Sequence, residues 1–421
     1  MKVYKFGGAS VRSAEGIRNM AAIVKAVSAT PLFIVVSAMG KTTNALEEVL
    51  AHFMKTDREA ALEKLREVED YHKKIIAELF ETPEPALEQI DTLFHELRNY
   101  VQEAIGDDYD RCYDHLVSYG ELISTRIVSS FLLEAGVGNM FLDMRKLLVT
   151  DSNFREANVR MEDSEKRFAQ ALDFSRCPVY VAQGFIAANS KGDPTTLGRE
   201  GSDYSAAVVG NLLNAESVTI WKDVPGILNA DPRIFPDTVL IPRLTYYDAV
   251  ELAYSGAQVI HPKTIKPLRN KKIPLYVRPF AAPDEAGSVI GEAAPPIDVP
   301  VLILKKNQVL ATMRPRDFSF VLEESLSGLF AVLNKHRIKV SLVQSSAVSI
   351  SVCMDNTRQL SDALDELAND FKVSYNSGLE LLTIRGWKKE VIERTTSGRE
   401  LLLSQQTRRI ARFLMKENTD C

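Results

Sequence analysis

Residues 1–10 read MKVYKFGGAS, and the rest of the chain is read outward from them. Val3 to Phe6 is a short run suited to a β-strand. Gly7 and Gly8 stop it, because glycine reaches backbone angles that a side chain forbids. Ser10 then precedes apolar residues at helical spacing: Val11, Ile17, Met20, Ile23, Val24 and Val27. The order is strand, glycine turn, helix. Such a turn exposes backbone N–H groups beside a helix N-terminus, which suits an anion, and Lys5 adds a mobile positive charge. A tight turn beside a solvated lysine accounts for the same letters equally well.

The neighbouring segments extend the pattern. PLFIVVSA (31–38) is a continuous apolar run, as expected of a strand buried on both faces. CPVYVAQGFI (177–186), ESVTIW (216–221) and IPLYVRPF (273–280) read likewise as strands, and helical segments near 118–134, 203–213 and 246–255 alternate with them. This alternation predicts an α/β fold with a largely parallel open sheet and helices on both faces. Residues 45–112 differ: apolar positions at helical spacing among many charges predict a helical insertion, broken near Pro83 and Pro85. PFAAPDEAGSVIGEAAPPIDVP (279–300) has five prolines in 22 residues and reads as a linker. Beyond it the order is β-α-β-β-α-β, a ferredoxin-like layout. Two domains are therefore expected, 1–290 and 300–421. GRELLLSQQTRRIARFLMK (398–416) is expected to add one strand or helix, too little for a second complete module.

Composition narrows the function classes. The 421 residues are 45% hydrophobic and 25% charged, which allows large cores and argues against disorder. The net charge of −5 argues against a generic nucleic-acid binder. No apolar run reaches the ~18 residues of a membrane span, and no signal peptide is read at the N-terminus. Cys112, Cys177, Cys353 and Cys421 are widely spaced, as in a cytoplasmic protein with reduced thiols, and no zinc motif is present. His261, before Pro262, reads as structural.

Three further motifs carry chemistry. SAMGKTTN (37–44) contains Gly40-Lys41-Thr42, but a P-loop needs glycine five positions earlier, where Val35 stands. What remains is a second small-residue turn at the carboxyl end of a strand, where open α/β sheets bind ligands. TTLGREGSDYSAA (195–207) sets Arg199 between Gly198 and Gly201, with Ser202 and Asp203 opening an apolar helix. Those two residues read as an N-cap, worth ~1 kcal/mol. Beside a helix N-terminus, the arginine fork also suits a carboxylate or phosphate. Glu121 is an acid on an apolar helix, and WKDVPGILNADPRIFP (221–236) brings Lys222, Asp223, Asp231 and Arg233 into one loop. Lysines, one arginine, two acids and helix N-termini fit phosphoryl transfer from a nucleotide, which is mostly positioning and charge neutralisation. A carboxylate acceptor needs no base, since it is ionised at pH 7. Its difficulty is repulsion: two like charges ~4 Å apart repel by about 4 kcal/mol at a dielectric near 20, and a lysine between them removes this.

KFGGAS, VVSAMGKTTN, SYGELIST, TTLGREGSDYSAA, WKDVPGILNADPR and AYSGAQVIHPKT, in this order, resemble the aspartokinases of the amino-acid kinase fold. The tail from about residue 300 resembles their ACT regulatory module. The resemblance implies that ATP, with Mg²⁺, phosphorylates the side-chain carboxylate of L-aspartate, the entry to lysine, threonine, methionine and diaminopimelate. It implies that Lys5 bridges the phosphates, that Asp203 orients Lys5 and the substrate ammonium, and that Gly7 and Gly8 offer N–H groups to the moving phosphoryl. Phe6 and Ser10 belong to the same turn. Arg199 would clamp the α-carboxylate, helped by Ser37, Thr43, Glu121, Glu200, Gly201 and Ser202. Lys222, Asp223, Leu228, Arg233, Gln258 and Val259 match the nucleotide loops. No metal ligand is assigned among the protein side chains.

Leu228 stands where relatives often carry an aromatic residue, and Gln258 where many carry lysine. The alternatives are a kinase of the same fold acting on glutamate, acetylglutamate or uridylate, and a catalytically silent amino-acid sensor. A homodimer or higher homo-oligomer through the ACT region is expected, with an amino-acid effector. Lysine-sensitive relatives carry acids where Ser341 and Ala347 stand, and a glycine-led turn where ESLSG (324–328) stands, so lysine is expected to act weakly or not at all.

Overall fold

The computed structural model describes residues 1–104, 108–257, 260–316, 320 and 323–417. Two compact units result. The first comprises Met1–Leu228, Leu240–Ala253 and Gln258–Pro295; the second comprises Asn229–Val239, Tyr254–Ala257 and Pro296–Cys421.

In the first unit, β1 (Lys2–Phe6) leads to α1 (Ala14–Lys25) and β2 (Leu32–Val36). Four helices follow: α2 (Thr42–Met54), α3 (Arg58–Leu79), α4 (Glu84–Glu103) and α5 (Tyr109–Glu134). Then come β3 (Met140–Leu142), α6 (Met144–Leu147), β4 (Val149–Thr150), α7 (Met161–Ala171), β5 (Val179–Gln183), β6 (Ile186–Asn189), β7 (Pro194–Thr196) and α8 (Gly201–Leu212). The last elements are β8 (Ser217–Lys222), β9 (Arg243–Thr245), α9 (Tyr246–Tyr254), α10 (Pro262–Asn270), β10 (Leu275–Pro279) and β11 (Ser288–Gly291).

The main sheet has the order β3-β5-β2-β1-β8-β10-β11-β9. Only the β10–β11 pairing is antiparallel. All five residues of β2 are buried, which is why its sequence is an unbroken apolar run. A smaller sheet, β4-β6-β7, carries the chain toward α8. β11 lies inside the stretch read as a linker, with its Ser288 buried; Pro279 ends β10 and Pro300 precedes β12.

The helical insertion is α2 to α4, continued by the N-terminal part of α5. α4 starts at the two prolines, because a missing N–H costs nothing in a helix's first turn. α5 is apolar and long enough to cross a membrane by composition, yet most of that stretch is buried in the fold, as in a core helix. Cys112, Cys177 and Cys353 are free thiols, and Cys421 lies outside the described residues.

The second unit contains β12 (Val301–Pro315), α11 (Glu323–Lys335), β13 (Val340–Ser345), β14 (Ile350–Asp355), α12 (Leu360–Leu367), β15 (Phe371–Arg385), α13 (Lys389–Thr396), β16 (Leu401–Gln406) and β17 (Ile410–Lys416). Its sheet is antiparallel, in the order β13-β14-β12-β15-β17-β16. The ferredoxin-like lobe uses the C-terminal half of β12 and the N-terminal half of β15, around a core including Met313, Leu329, Val352 and Leu364. The other halves pair with each other and with the hairpin β16–β17, around Leu302, Leu382, Ile384 and Phe413. Residues 398–416 therefore supply two strands, where one strand or helix was expected, and α13 adds Val391 and Ile392 to the second core.

Candidate active site

The parallel strands place three charged side chains together at the carboxyl ends of β1 and β8. Lys5 stands one residue before the end of β1, in register with Ile220 of β8. Lys222 ends β8, and Asp203 lies in the first turn of α8, where a helix N-terminus favours an acid. Asp203 Oδ1 is 2.6 Å from Lys5 Nζ, and its Oδ2 is 3.3 Å from Lys222 Nζ. The Oδ1 contact is a short, buried ion pair. Burial alone would raise the Asp203 pKa; the two ammonium groups outweigh it and hold the carboxyl below its ordinary value. Two cations and one anion leave a net positive cluster. Lys5 is 8% exposed and paired, which sets aside the alternative of a solvated lysine beside a tight turn.

The glycine turn follows. Ser10 N and Val11 N both donate to Gly7 O, at 3.0 and 3.3 Å, so residues 7–13 fold into a turn before any helix begins. The cap of α1 is Ser13, which accepts from Gly16 N at 3.2 Å. Gly8 is required for close approach: a Cβ there would lie 2.5 Å from Ala38 O. The β1–α1 and β2–α2 turns thus touch, and Gly40 N donates to Gly8 O at 3.0 Å. The Phe6 ring is buried and stacked on Trp221 with centroids 6.1 Å apart, so only its main chain belongs to the turn.

α5 closes the next side. Ser124 Oγ donates to Ser37 O at 2.7 Å, and Ala38 N donates weakly to Glu121 Oε1 at 3.4 Å. Glu121 is 3% exposed, and among the described residues its Oε2 has no hydrogen-bond partner. Burial pushes its pKa up to about 8. A buried acid with one idle oxygen is suited to an ammonium group that arrives with a ligand. Thr43 is half-buried in the first turn of α2.

The arginine loop precedes α8. Glu200, not Ser202 or Asp203, occupies the cap position, in left-handed backbone (φ 53°) and without a side-chain cap. Its Oε2 accepts from His261 N at 2.8 Å, and His261 Nδ1 caps α10 by accepting from Lys263 N. Gly201 and Ser202 pack against the β5–β6 turn, where a Cβ on Gly201 would lie 2.5 Å from Phe185. Arg199 is exposed, and among the described residues no hydrogen bond or ion pair holds its side chain.

The nucleotide-loop candidates divide. Leu228 is half-buried and bridges to Leu240, and Asp223 is exposed. Arg233 lies on Asn229–Val239, part of the second unit, and its guanidinium pairs with Asp231 at 2.7 Å. Gln258 and Val259 lie outside the described residues. Among the described residues, no group of three or more His, Cys, Asp and Glu side chains could hold a metal ion.

Sequence reasoning missed three residues. Tyr71 and the fully buried His72, on α3, reach the two turns: Tyr71 OH donates to Arg12 O at 2.8 Å, and His72 Nε2 lies 3.5 Å from Thr42 Oγ1. A cleft of about 610 Å³ opens beside them, lined by Arg12, Gly40, Lys41 and Tyr71 among others. Asp114, buried on α5, accepts three hydrogen bonds from loops far away in sequence.

Residues 1–279 match the model of the Amino acid kinase family. The chain is 31% identical over 395 residues to lysine-sensitive aspartokinase 3 of Escherichia coli, covering 91% of this chain and 86% of that one. It is 30% identical over 408 residues to chloroplastic aspartokinase 1 of Arabidopsis thaliana, covering 91% and 70%. Among solved structures, E. coli aspartokinase III in complex with aspartate and ADP (R-state) matches with a TM-score of 0.85 at 28% identity, over 99% of this chain and 96% of that one. The same enzyme with lysine and aspartate (T-state) matches at 0.81 and 29%, over 98% and 95%.

Proposed function

The chain belongs to the amino acid kinase family, among the aspartokinases, and from that premise we propose how its residues share the work. The reaction is ATP-dependent phosphorylation of the side-chain carboxylate of L-aspartate to 4-phospho-L-aspartate. The observation that carries the assignment of roles is the Lys5–Asp203–Lys222 cluster beside the glycine turn. Lys5 lies between acceptor carboxylate and γ-phosphate and neutralises their repulsion; Lys222 acts on the nucleotide phosphates. Asp203 fixes both ammonium groups. Gly7 and Gly8 present main-chain N–H groups to the transferring phosphoryl, and no base is required. Asp203 is committed to two lysines, so it is a poor metal ligand. Mg²⁺ bound to the nucleotide phosphates would supply charge neutralisation there. Trapping the product as aspartyl hydroxamate tests the reading; turnover on glutamate in place of aspartate would refute the substrate.

Arg199 clamps the α-carboxylate, with Ser37, Thr43, Glu200, Gly201 and Ser202 shaping the pocket. Arg199→Ala is expected to raise KM for aspartate by about 10- to 150-fold, the worth of a charged hydrogen bond of roughly 1.5–3 kcal/mol. kcat stays nearly constant, because a clamp on a non-reacting group binds ground and transition states alike. Steady-state kinetics at saturating ATP measure both constants.

Glu121 receives the substrate ammonium. Its raised pKa means that the empty protein holds a proton there near neutrality, and that stability from this group, full below ~4.3, fades as pH rises through about 8. An ammonium ion favours the carboxylate, so aspartate binding at pH 7 should release a proton. Calorimetry in two buffers of different ionisation enthalpy reads this release. Equal release by wild type and Glu121→Gln would exclude the assignment.

The remaining roles concern assembly and control. The second unit joins two copies, because β13 and β16 leave open sheet edges that association can cover. Sedimentation as a concentration-independent monomer would remove this claim. An amino-acid effector acts through the same unit, and lysine acts weakly: Ser341 accepts from Lys305 Nζ at 3.1 Å, and Ala347 sits in the β13–β14 turn, so neither offers an acid. Half-inhibition by sub-millimolar lysine would overturn that. A cytoplasmic location completes the reading.

A further inference from the structure

Asp114 is fully buried, and every acceptor bond it makes goes to a loop end. Its Oδ2 accepts from Thr196 N and from Arg155 N, each at 2.9 Å, and its Oδ1 accepts from Thr196 Oγ1 at 2.6 Å. Thr196 ends β7 and stands three residues before Arg199. Arg155 faces the same loop from the other wall: a Cβ on Gly198 (φ 77°) would lie 3.1 Å from Arg155 O. Ala157 N completes the joint by donating to Thr196 O at 2.9 Å. One carboxylate thus ties both walls at the base of the arginine loop, while the Arg199 side chain is exposed and held by nothing else among the described residues. Asp114 also shares a helix with Glu121. The two are seven residues apart, on the same face of α5 and about 10 Å along its axis.

The geometry points to Asp114 as the positioning residue of the aspartate site. α5 presents Glu121 to the substrate ammonium directly, and through Asp114 it sets where Arg199 meets the α-carboxylate. The spacing between the two charged ends of the amino acid is then gauged from one rigid helix. This rests on the clamp reading of Arg199. It is a distinct claim, since Asp114 never touches substrate and acts only through the loop.

Asp114→Asn keeps the shape but removes the negative charge behind all three bonds and sets its NH₂ group against Thr196 Oγ1, which must then reverse and accept. It is expected to raise KM for aspartate about tenfold while leaving kcat and KM for ATP within about twofold, the pattern of lost uniform binding. In an Arg199→Ala background the same change should add less than about twofold, because its effect passes through that arginine. Thr196→Val removes only the Oγ1 bond and should shift KM for aspartate in the same direction by about threefold; it decides the matter if Asp114→Asn does not fold. A raised KM in Arg199→Ala with unchanged KM in Asp114→Asn and Thr196→Val overturns the positioning role alone. So does full multiplication of the two effects in the double variant. Unchanged KM in Arg199→Ala overturns the clamp reading, and the positioning role with it.

Discussion

Lys5→Ala lowers kcat at least ~100-fold, since one preorganised charge aimed at a developing anion is worth 10²–10³ in rate. The lysine is buried, paired with Asp203 at 2.6 Å and set next to the glycine turn, where a Cβ on Gly7 would lie 3.3 Å from its Nζ. In the proposed role its removal would leave the acceptor carboxylate and the phosphate facing each other unscreened, so the loss is expected on kcat more than on KM. Single-turnover formation of acyl phosphate, trapped by hydroxylamine, measures the step itself. Near-normal turnover would show that the ion pair only closes the end of a strand.

Asp203→Ala is the second large effect, and it reaches stability as well as rate. Truncating one partner of a buried charge pair costs about 3–5 kcal/mol, because the remaining charge keeps its desolvation without its counter-ion. Here the buried Lys5 ammonium would be left, 2.6 Å from the lost oxygen. Trp221 lies in the same sheet, stacked on Phe6, so urea unfolding followed by its fluorescence in a Trp387→Phe background reports on this unit. The pH dependence has a definite sign. The Asp203 pKa is depressed in the folded state, so the contribution of the pair is present above the unfolded carboxylate value of ~3.9 and is lost only as acid carries the pH through the lower folded value. An unchanged midpoint in Asp203→Ala would mean that the lysines find other partners at little cost.

What could be read in the sequence follows the range of the interactions. The buried strands were legible because a parallel strand covered on both faces has no polar alternation to confuse it, as in LFIVV of β2. The glycine turn was legible as a local motif, as were the charges of Lys5 and Asp203 that the structure brings together. Local cues also misled. The helical spacing was read from just after Ser10, but the turn folds back on Gly7 and the helix waits for Ser13. Ser202 and Asp203 looked like caps, but a left-handed Glu200 takes that place. Asp114 and Tyr71 were invisible, because their partners are 82 and 59 residues away and nothing local marks them. The hairpin at 401–416 was missed for a topological reason. A reader who has spent β12 and β15 on one ferredoxin-like lobe sees no partners left for more strands, yet each of those strands is 15 residues long and serves two lobes.

Those two shared strands behave as continuous beams. Near their midpoints the ladder slips at Lys305 to Gln308 and again at Gln308 to Leu310, with Asn307 and Gly378 in left-handed backbone. Each lobe is therefore spliced to the other by unbroken main chain at a bend. Strain applied to one end of β12 or β15 cannot stop at a linker, because there is none. Neither lobe should melt alone, and native-state hydrogen exchange should find amides on both sides of the bend opening with one free energy. Widely separated opening energies for 308–315 and 379–385 would show that the splice yields at the bulge.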